Sequence, residues 1–263
     1  MPTVAEALAA ARRAGAPIVV GYLLVDRARR RRFRATVEAL RDGGLAALEL
    51  GFPFSDPIAD GPVLASAHDR ALRNGTTWSD LLAACRIASA RLPVAVMTYA
   101  NPLWHGGLDR RAAALARAGA SGLIVPDLSL EESAPFARAA RRHGLSLVEL
   151  AAPGAAPARV AAIARASRGF VYLVGRYGTT GGAEQGATVD LRPLVAAAHR
   201  GGPGPVLVGF GVRDAASATA ARRSGADGVV VGTALEERLA RGERPPALAR
   251  FVRELVRGVA AGA

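Results

Sequence analysis

Eight short apolar runs recur along the chain with little polar alternation. They are PIVVGYLL (17–24), LAALEL (45–50), PVAVMTY (93–99), GLIVPD (122–127), LSLVEL (145–150), FVYLVG (170–175), PVLVGFG (205–211) and GVVVGTA (228–234). A strand with one wet face alternates apolar and polar residues, so runs without that alternation are expected of parallel strands buried on both faces. Between them lie Ala-, Arg- and Leu-rich segments with helical spacing, such as DRRAAALARAG (109–119) and EESAPFARAARRHG (131–144). Most of these end in Gly, a common helix stop. Eight strands alternating with helices predict an α/β chain folded as a (β/α)8 TIM barrel, with an open doubly wound sheet as the alternative. The even cadence and the lack of a long linker favour the barrel, as a single domain over residues 1–263. Extra helices are expected before the first strand, between the second and third strands (62–74 and 78–91), and at the C-terminus (246–260).

Composition narrows the chemistry. The 34 basic residues are all Arg, and the formal charge is +12. Without lysine the chain can form no Schiff base with a carbonyl substrate and offers no covalent anchor for pyridoxal phosphate. Carbon–carbon bond chemistry must then run by acid–base steps or through a metal. Cys85 is the only cysteine, which excludes a disulfide within the chain and suits a reducing cytoplasm. His68, His105, His143 and His199 form no pair at ligand spacing, so no metal site is expected. The opening MPTVAEALAAARRAG reads as an amphipathic helix closed by Gly15, not as a signal peptide, and no apolar run reaches membrane-span length.

In a barrel of this kind chemistry sits where strands end and loops begin. The second run ends in ELGFPFSDPIADGP (49–62), which sets Glu49 at a buried strand end and Asp56 and Asp60 on a loop braced by Pro53, Pro57 and Pro62. A carboxylate partly withdrawn from water has a raised pKa and can move protons near neutral pH. The alternative is that Glu49 pairs with an Arg and the aspartates cap a helix. Later runs are followed by GRYGTTGGAEQG (175–186), by GFGVRDAAS (209–217) and by VGTALEE (231–237), in which Gly232 and Thr233 open a helix. Backbone N–H groups at such helix starts bind phosphate, and the loops after the seventh and eighth strands are the usual phosphate site of a TIM barrel. Ordinary turn glycines are the alternative. Tyr22, Phe52, Phe54, Tyr99, Tyr172 and Phe210 gather at strand ends, as core or as the lining of a pocket for a flat ring.

LELGFPFSDPIADGP (48–62) is very similar to the signature of the tryptophan synthase alpha subunit family. MTYANP (97–102), LIVPDLSLEESAPF (123–136), TTGG (179–182), GFGV (209–212) and VVVGTA (229–234) resemble that family's other landmarks, in the same order. The resemblance implies retro-aldol cleavage of indole-3-glycerol phosphate to indole and glyceraldehyde 3-phosphate. Glu49 matches the acid/base. Asp60 matches the carboxylate that receives the indole N–H, and Tyr172 a tyrosine near the reacting carbons. Gly181, Gly211, Gly232 and Thr233 match phosphate-contacting positions. Tyr22, Thr98, Tyr99 and Asp127 fall around the indole pocket, with Phe210 beside them. The resemblance also implies a pyridoxal-phosphate-carrying beta subunit as partner, in an alpha2-beta2 assembly, and no cofactor in this chain. A stand-alone indole-3-glycerol phosphate lyase, and an alpha-like chain that only activates a partner, are the alternative readings.

The chain departs from the family pattern in three places. After the first strand the usual Thr-x-Gly-Asp-Pro turn is LLVDRARRRRFR (23–34), which keeps only Asp26; Ser129 replaces a proline, and Gly175 a serine. The arginines at 27, 29–32 and 34 crowd a helix start, where the macrodipole disfavours cations. They read as a solvated face, as a surface for an acidic partner, or as a field that steers a phosphorylated substrate. Nucleic-acid binding lacks a motif to support it.

Overall fold

In the computed structural model, which describes residues 1–175, 190–209 and 211–263, the apolar runs form one parallel sheet. Its strands are β1 (Ile18–Leu24), β2 (Ala47–Gly51), β3 (Val94–Met97), β4 (Gly122–Ile124), β5 (Ser146–Val148), β6 (Leu150–Ala151), β7 (Val171–Val174), β8 (Val206–Gly209) and β9 (Gly228–Val231). The order is β5-β4-β3-β2-β1-β9-β8-β7-β6.

The fifth run was expected as one strand, 145–150, and is split at Glu149. β5 pairs with β4 and β6 pairs with β7. One residue separates the two short strands, so the ends of the sheet meet there and the barrel nearly closes. Glu149 is itself buried, which raises its carboxyl pKa, with Ser133 beside it pulling the other way. Several other strands end earlier than their apolar runs. Residues 98–99, 125–127 and 232–234 already belong to loops or helix starts, because at the C-terminal rim the chain leaves the ladder while its side chains still point into the core.

Strand alternation sorts the side chains. Ile18, Val20, Tyr22 and Leu24 join one buried cluster with Ala47, Met97, Ile124, Tyr172 and Val230, while Val19, Leu23, Leu48 and Leu50 join another with the surrounding helices. The first cluster fills the barrel and the second packs barrel against helices. Two helices contribute to the inner cluster. Val4 and Leu8 of α1 (Val4–Arg13) cover the N-terminal end, and Leu64, Ala67 and Ala71 of α3 (Pro62–Arg73) cover the C-terminal mouth. α1 opens on a capping box in which the Thr3 hydroxyl accepts from the Glu6 N–H and the Glu6 carboxylate accepts from the Thr3 N–H.

The expected extra helices are present as α1, as α3 and α4 (Trp78–Ser89), and as α12 (Pro245–Ala261). The remaining helices are α2 (Arg30–Gly43), α5 (Ala100–His105), α6 (Leu108–Arg117), α7 (Ala134–Arg142), α8 (Pro157–Ala166), α9 (Arg192–Gly201), α10 (Ala215–Arg223) and α11 (Thr233–Ala240). Among the described residues no helix is long and apolar enough to cross a membrane.

Gly228 shows how tightly the β9–β1 seam is packed. It pairs with Ile18, and a Cβ built there meets the Ile18 carbonyl oxygen and lies 2.5 Å from the Ile18 Cβ. The obstacle is backbone, which cannot rotate aside. Gly228→Ala is therefore expected to lower stability by about 1–3 kcal/mol, read from the midpoint of urea unfolding. An unchanged midpoint would contradict this packing.

Candidate active site

The β1–β2 register pairs Tyr22 with Glu49, and both side chains enter the barrel near its C-terminal end. Glu49 follows Ala47 on the inward face of β2, while Leu48 and Leu50 face the helices. Its carboxyl is fully buried, and neither oxygen has a hydrogen-bond partner among the described residues. The alternative reading, in which it pairs with an arginine, is not met. Loss of water, and secondarily the charge of Asp60, push its pKa up to about 8.

Asp60 arrives from the other end of the proline-braced loop and is 8% exposed. It does not cap a helix. The Tyr99 hydroxyl donates to Asp60 Oδ2 at 2.8 Å and accepts from the Ala59 N–H at 3.1 Å. Phe54 stacks on Tyr99 with ring centroids 4.9 Å apart. Behind Asp60 stands His68 of α3, buried, with Nε2 3.3 Å from Oδ2 and Nδ1 accepting from the Phe54 N–H at 3.0 Å. Burial raises the Tyr99 hydroxyl's pKa, reinforced by Asp60, so the hydroxyl stays a donor. Burial likewise raises Tyr22 and Tyr172, with Glu49 and Asp60 adding to the shift. The Tyr22 ring lies over Gly51 and the Tyr172 ring over Gly209.

One cavity at the mouth joins these groups to the glycine turns. Tyr22, Glu49, Asp60 and Tyr172 line it together with Gly211, Gly232 and Thr233. Gly211 has φ +119°, and Gly232 precedes the first residue of α11. Carboxyl groups and N–H-bearing turns thus face one space, an arrangement suited to holding a phosphate ester while protons move. A Cβ at Gly232 would lie 3.3 Å from the Cβ and Cδ1 of Tyr22, close but without backbone conflict. Gly232→Val is expected to keep the fold and to weaken glycerol-phosphate binding by about tenfold or more, because the side chain blocks approach to the backbone. Equal affinity by calorimetry would remove the phosphate from this turn.

Other expected residues lie elsewhere. Thr98 is buried, its hydroxyl facing the Tyr99 carbonyl at 3.5 Å, and it is not on the cavity wall. Asp127 accepts from the Ala100 N–H at 2.9 Å and holds the start of α5. Tyr99 is not on the cavity wall and reaches the site only through its hydrogen bond to Asp60. Gly181 and Phe210 lie outside the described residues. The wall also includes Leu64, Met97, Val212 and Val230, of which Met97 and Val230 fall in apolar runs with nothing to set them apart. His68 was noticed in the sequence only as a histidine without a ligand partner. Among the described residues no group of His, Cys, Asp and Glu is placed to hold a metal ion.

The altered loop after β1 becomes a 3-10 turn, Arg27–Arg29, capped by Asp26, whose carboxylate accepts from the Ala28 N–H at 2.9 Å and from Asn74 at 3.0 Å. Arg29 reaches Glu236 of α11 at 2.6 Å, and the same buried carboxylate accepts from the Leu24 N–H at 2.9 Å. Arg29 thus ties the loop to the α11 that Gly232 opens. Arg30, Arg31, Arg32 and Arg34 are exposed.

Comparison with known proteins places the chain in a family. The sequence profile of the "Tryptophan synthase alpha chain" family matches residues 8–259. The chain is 40% identical to the tryptophan synthase alpha chain of Chloroflexus aurantiacus, with 99% of each chain covered. It is also 40% identical to that of Acidothermus cellulolyticus, covering 98% of this chain and 97% of the other. Tryptophan synthase of Mycobacterium tuberculosis superposes with a TM-score of 0.87 at 37% identity, over 98% of this chain and 99% of that one. A mutant alpha subunit from Pyrococcus furiosus gives 0.80 at 33% identity, over 92% and 98%.

Proposed function

The chain belongs to the tryptophan synthase alpha chain family of lyases, and from that premise we propose that it cleaves indole-3-glycerol phosphate to indole and glyceraldehyde 3-phosphate, with Glu49 as the acid/base. The observation that carries the proposal is the buried, unpartnered Glu49 carboxyl, raised to about 8, in the cavity that also holds Asp60 and the Gly211 and Gly232 turns.

The reaction moves one proton from oxygen to carbon. The hydroxyl on the carbon attached to the indole loses its proton and becomes the aldehyde of glyceraldehyde 3-phosphate. The carbon–carbon bond breaks, its electrons return to the indole ring, and indole C3 gains a hydrogen. A single group with a pKa near the working pH can both give the proton to C3 and take the one from the hydroxyl, and Glu49 meets that condition. Protonation at C3 puts positive charge on the ring nitrogen. The Asp60 carboxylate receives the N–H and stabilises that charge. Tyr172 stands beside the reacting carbons, and Gly211, Gly232 and Thr233 take the phosphate. Tyr22 closes the wall on the indole side. The reaction requires no lysine, and the chain has none.

Tryptophan formation from the indole requires a beta subunit with its own pyridoxal phosphate, in an alpha2-beta2 assembly. Exposed Ile58 and Trp104, on segments after β2 and β3 at the same end as the site, supply apolar surface for that partner. Such an enzyme works in the cytoplasm. The test is steady-state indole release by the purified chain, repeated with a beta subunit added. Release that the beta subunit accelerates supports the whole proposal. Release that it leaves unchanged favours the stand-alone lyase, and no release in either condition refutes the activity.

A further inference from the structure

We propose that His68 is a positioning residue for Asp60, holding one oxygen of the carboxylate so that the other is presented to the indole N–H; this rests on the reaction proposed above. Three observations meet at this residue. First, Nδ1 accepts from the Phe54 N–H at 3.0 Å. An imidazole nitrogen that accepts carries no proton, so the ring proton is on Nε2. Second, Nε2 is buried without a formed hydrogen bond and lies 3.3 Å from Asp60 Oδ2. Third, the Tyr99 hydroxyl donates to that same oxygen at 2.8 Å.

The Tyr99 hydroxyl is bonded to Oδ2, and the Nε2 edge of the His68 ring faces the same oxygen. Asp60 lines the cavity, and with Oδ2 held by Tyr99 and faced by His68, Oδ1 is the oxygen offered to the substrate. The carboxylate is held from behind by an α3 side chain and from the side by Tyr99. The ring also pins the loop at Phe54, six residues before the carboxylate, so both ends of the proline-braced segment are fixed to buried groups. Nε2 faces Oδ2 at 3.3 Å without a formed hydrogen bond, so the positioning role requires this contact to close as the indole N–H engages the opposite oxygen. His68 is not on the cavity wall, so it acts through Asp60.

The test uses the whole chain and indole release as the readout. His68→Asn keeps an acceptor where Nδ1 stands and removes the donor facing Asp60. It should lower kcat by about tenfold, the worth of a hydrogen bond to a charged group, with KM changed by no more than about twofold. His68→Gln returns an N–H near the Nε2 position and should lose less than about threefold. Coupling is decisive. On an Asp60→Asn background His68→Asn should cost less than about twofold, since the carboxylate it served is gone. A wild-type rate for His68→Asn, or the same tenfold loss on both backgrounds, overturns the proposal and leaves His68 as packing. A second readout needs no change at His68. The 15N resonances of the wild-type ring should place the proton on Nε2, and the Nε2 resonance should move in Asp60→Asn. A proton on Nδ1 also overturns the proposal. A wild-type chain that releases no indole overturns the parent reaction and this inference with it. An active wild type with uncoupled variants overturns this inference alone.

Discussion

Glu49→Gln is expected to lower indole-3-glycerol phosphate cleavage by about 10² or more, the usual worth of a positioned acid/base group. Gln has nearly the shape of Glu but neither gives nor takes a proton. Glu49 moves the proton only as the carbon–carbon bond breaks, so kcat and kcat/KM should fall together while substrate affinity holds. The barrel should be unaffected, since neither carboxyl oxygen bonds to a described residue. Rapid-quench turnover and equilibrium binding on the same preparation separate the two quantities. Near-normal turnover contradicts the role assigned to Glu49, and lost binding with normal turnover of bound substrate reassigns it to recognition.

The same substitution should have an opposite and pH-dependent effect on stability. Burial first, and then the neighbouring Asp60 charge, raise Glu49 from 4.5 to about 8. The folded chain thus holds this proton where the unfolded chain has released it. Between about pH 4.5 and 8 the native state binds more protons than the unfolded one, so Glu49's contribution to stability is full below that window and falls as pH rises through it. Gln has no proton to lose. The stability difference between Glu49→Gln and wild type should therefore be small near pH 4.5, grow in favour of the variant, and level off above pH 8. One pKa unit is about 1.4 kcal/mol, so the full difference is on the order of 3–5 kcal/mol. Urea unfolding of both chains at a series of pH values measures it. A difference that does not change with pH means that Glu49 titrates as it would in water.

Much of this site was legible in the chain because it lies on strands. Alternation along LAALEL puts Glu49 inside the barrel once Leu48 and Leu50 are given to the helices, and the strand-end rule selects it from the other carboxylates. The turns at Gly211 and Gly232 were legible because they follow strands. Asp60 was legible as a loop carboxylate, but its partners were not. Tyr99 is 39 residues away and His68 lies on a helix that reads as an ordinary amphipathic segment. Only the closed barrel brings them to one oxygen. The tie from Arg29 to Glu236 spans 207 residues, so the arginine block read as surface although one of its members is structural. LSLVEL gave no sign of the break at Glu149, because both halves are apolar and only their different neighbours in the sheet distinguish them.

The most direct measurement of the central claim is product stoichiometry from the purified chain with indole-3-glycerol phosphate alone. Indole and glyceraldehyde 3-phosphate are followed in one time course, beside Glu49→Gln at the same concentration. Equal amounts of the two products are expected from the wild type, with a rate reduced by about 10² or more in the variant. Absence of indole from the wild type, or equal rates in the two chains, would contradict it.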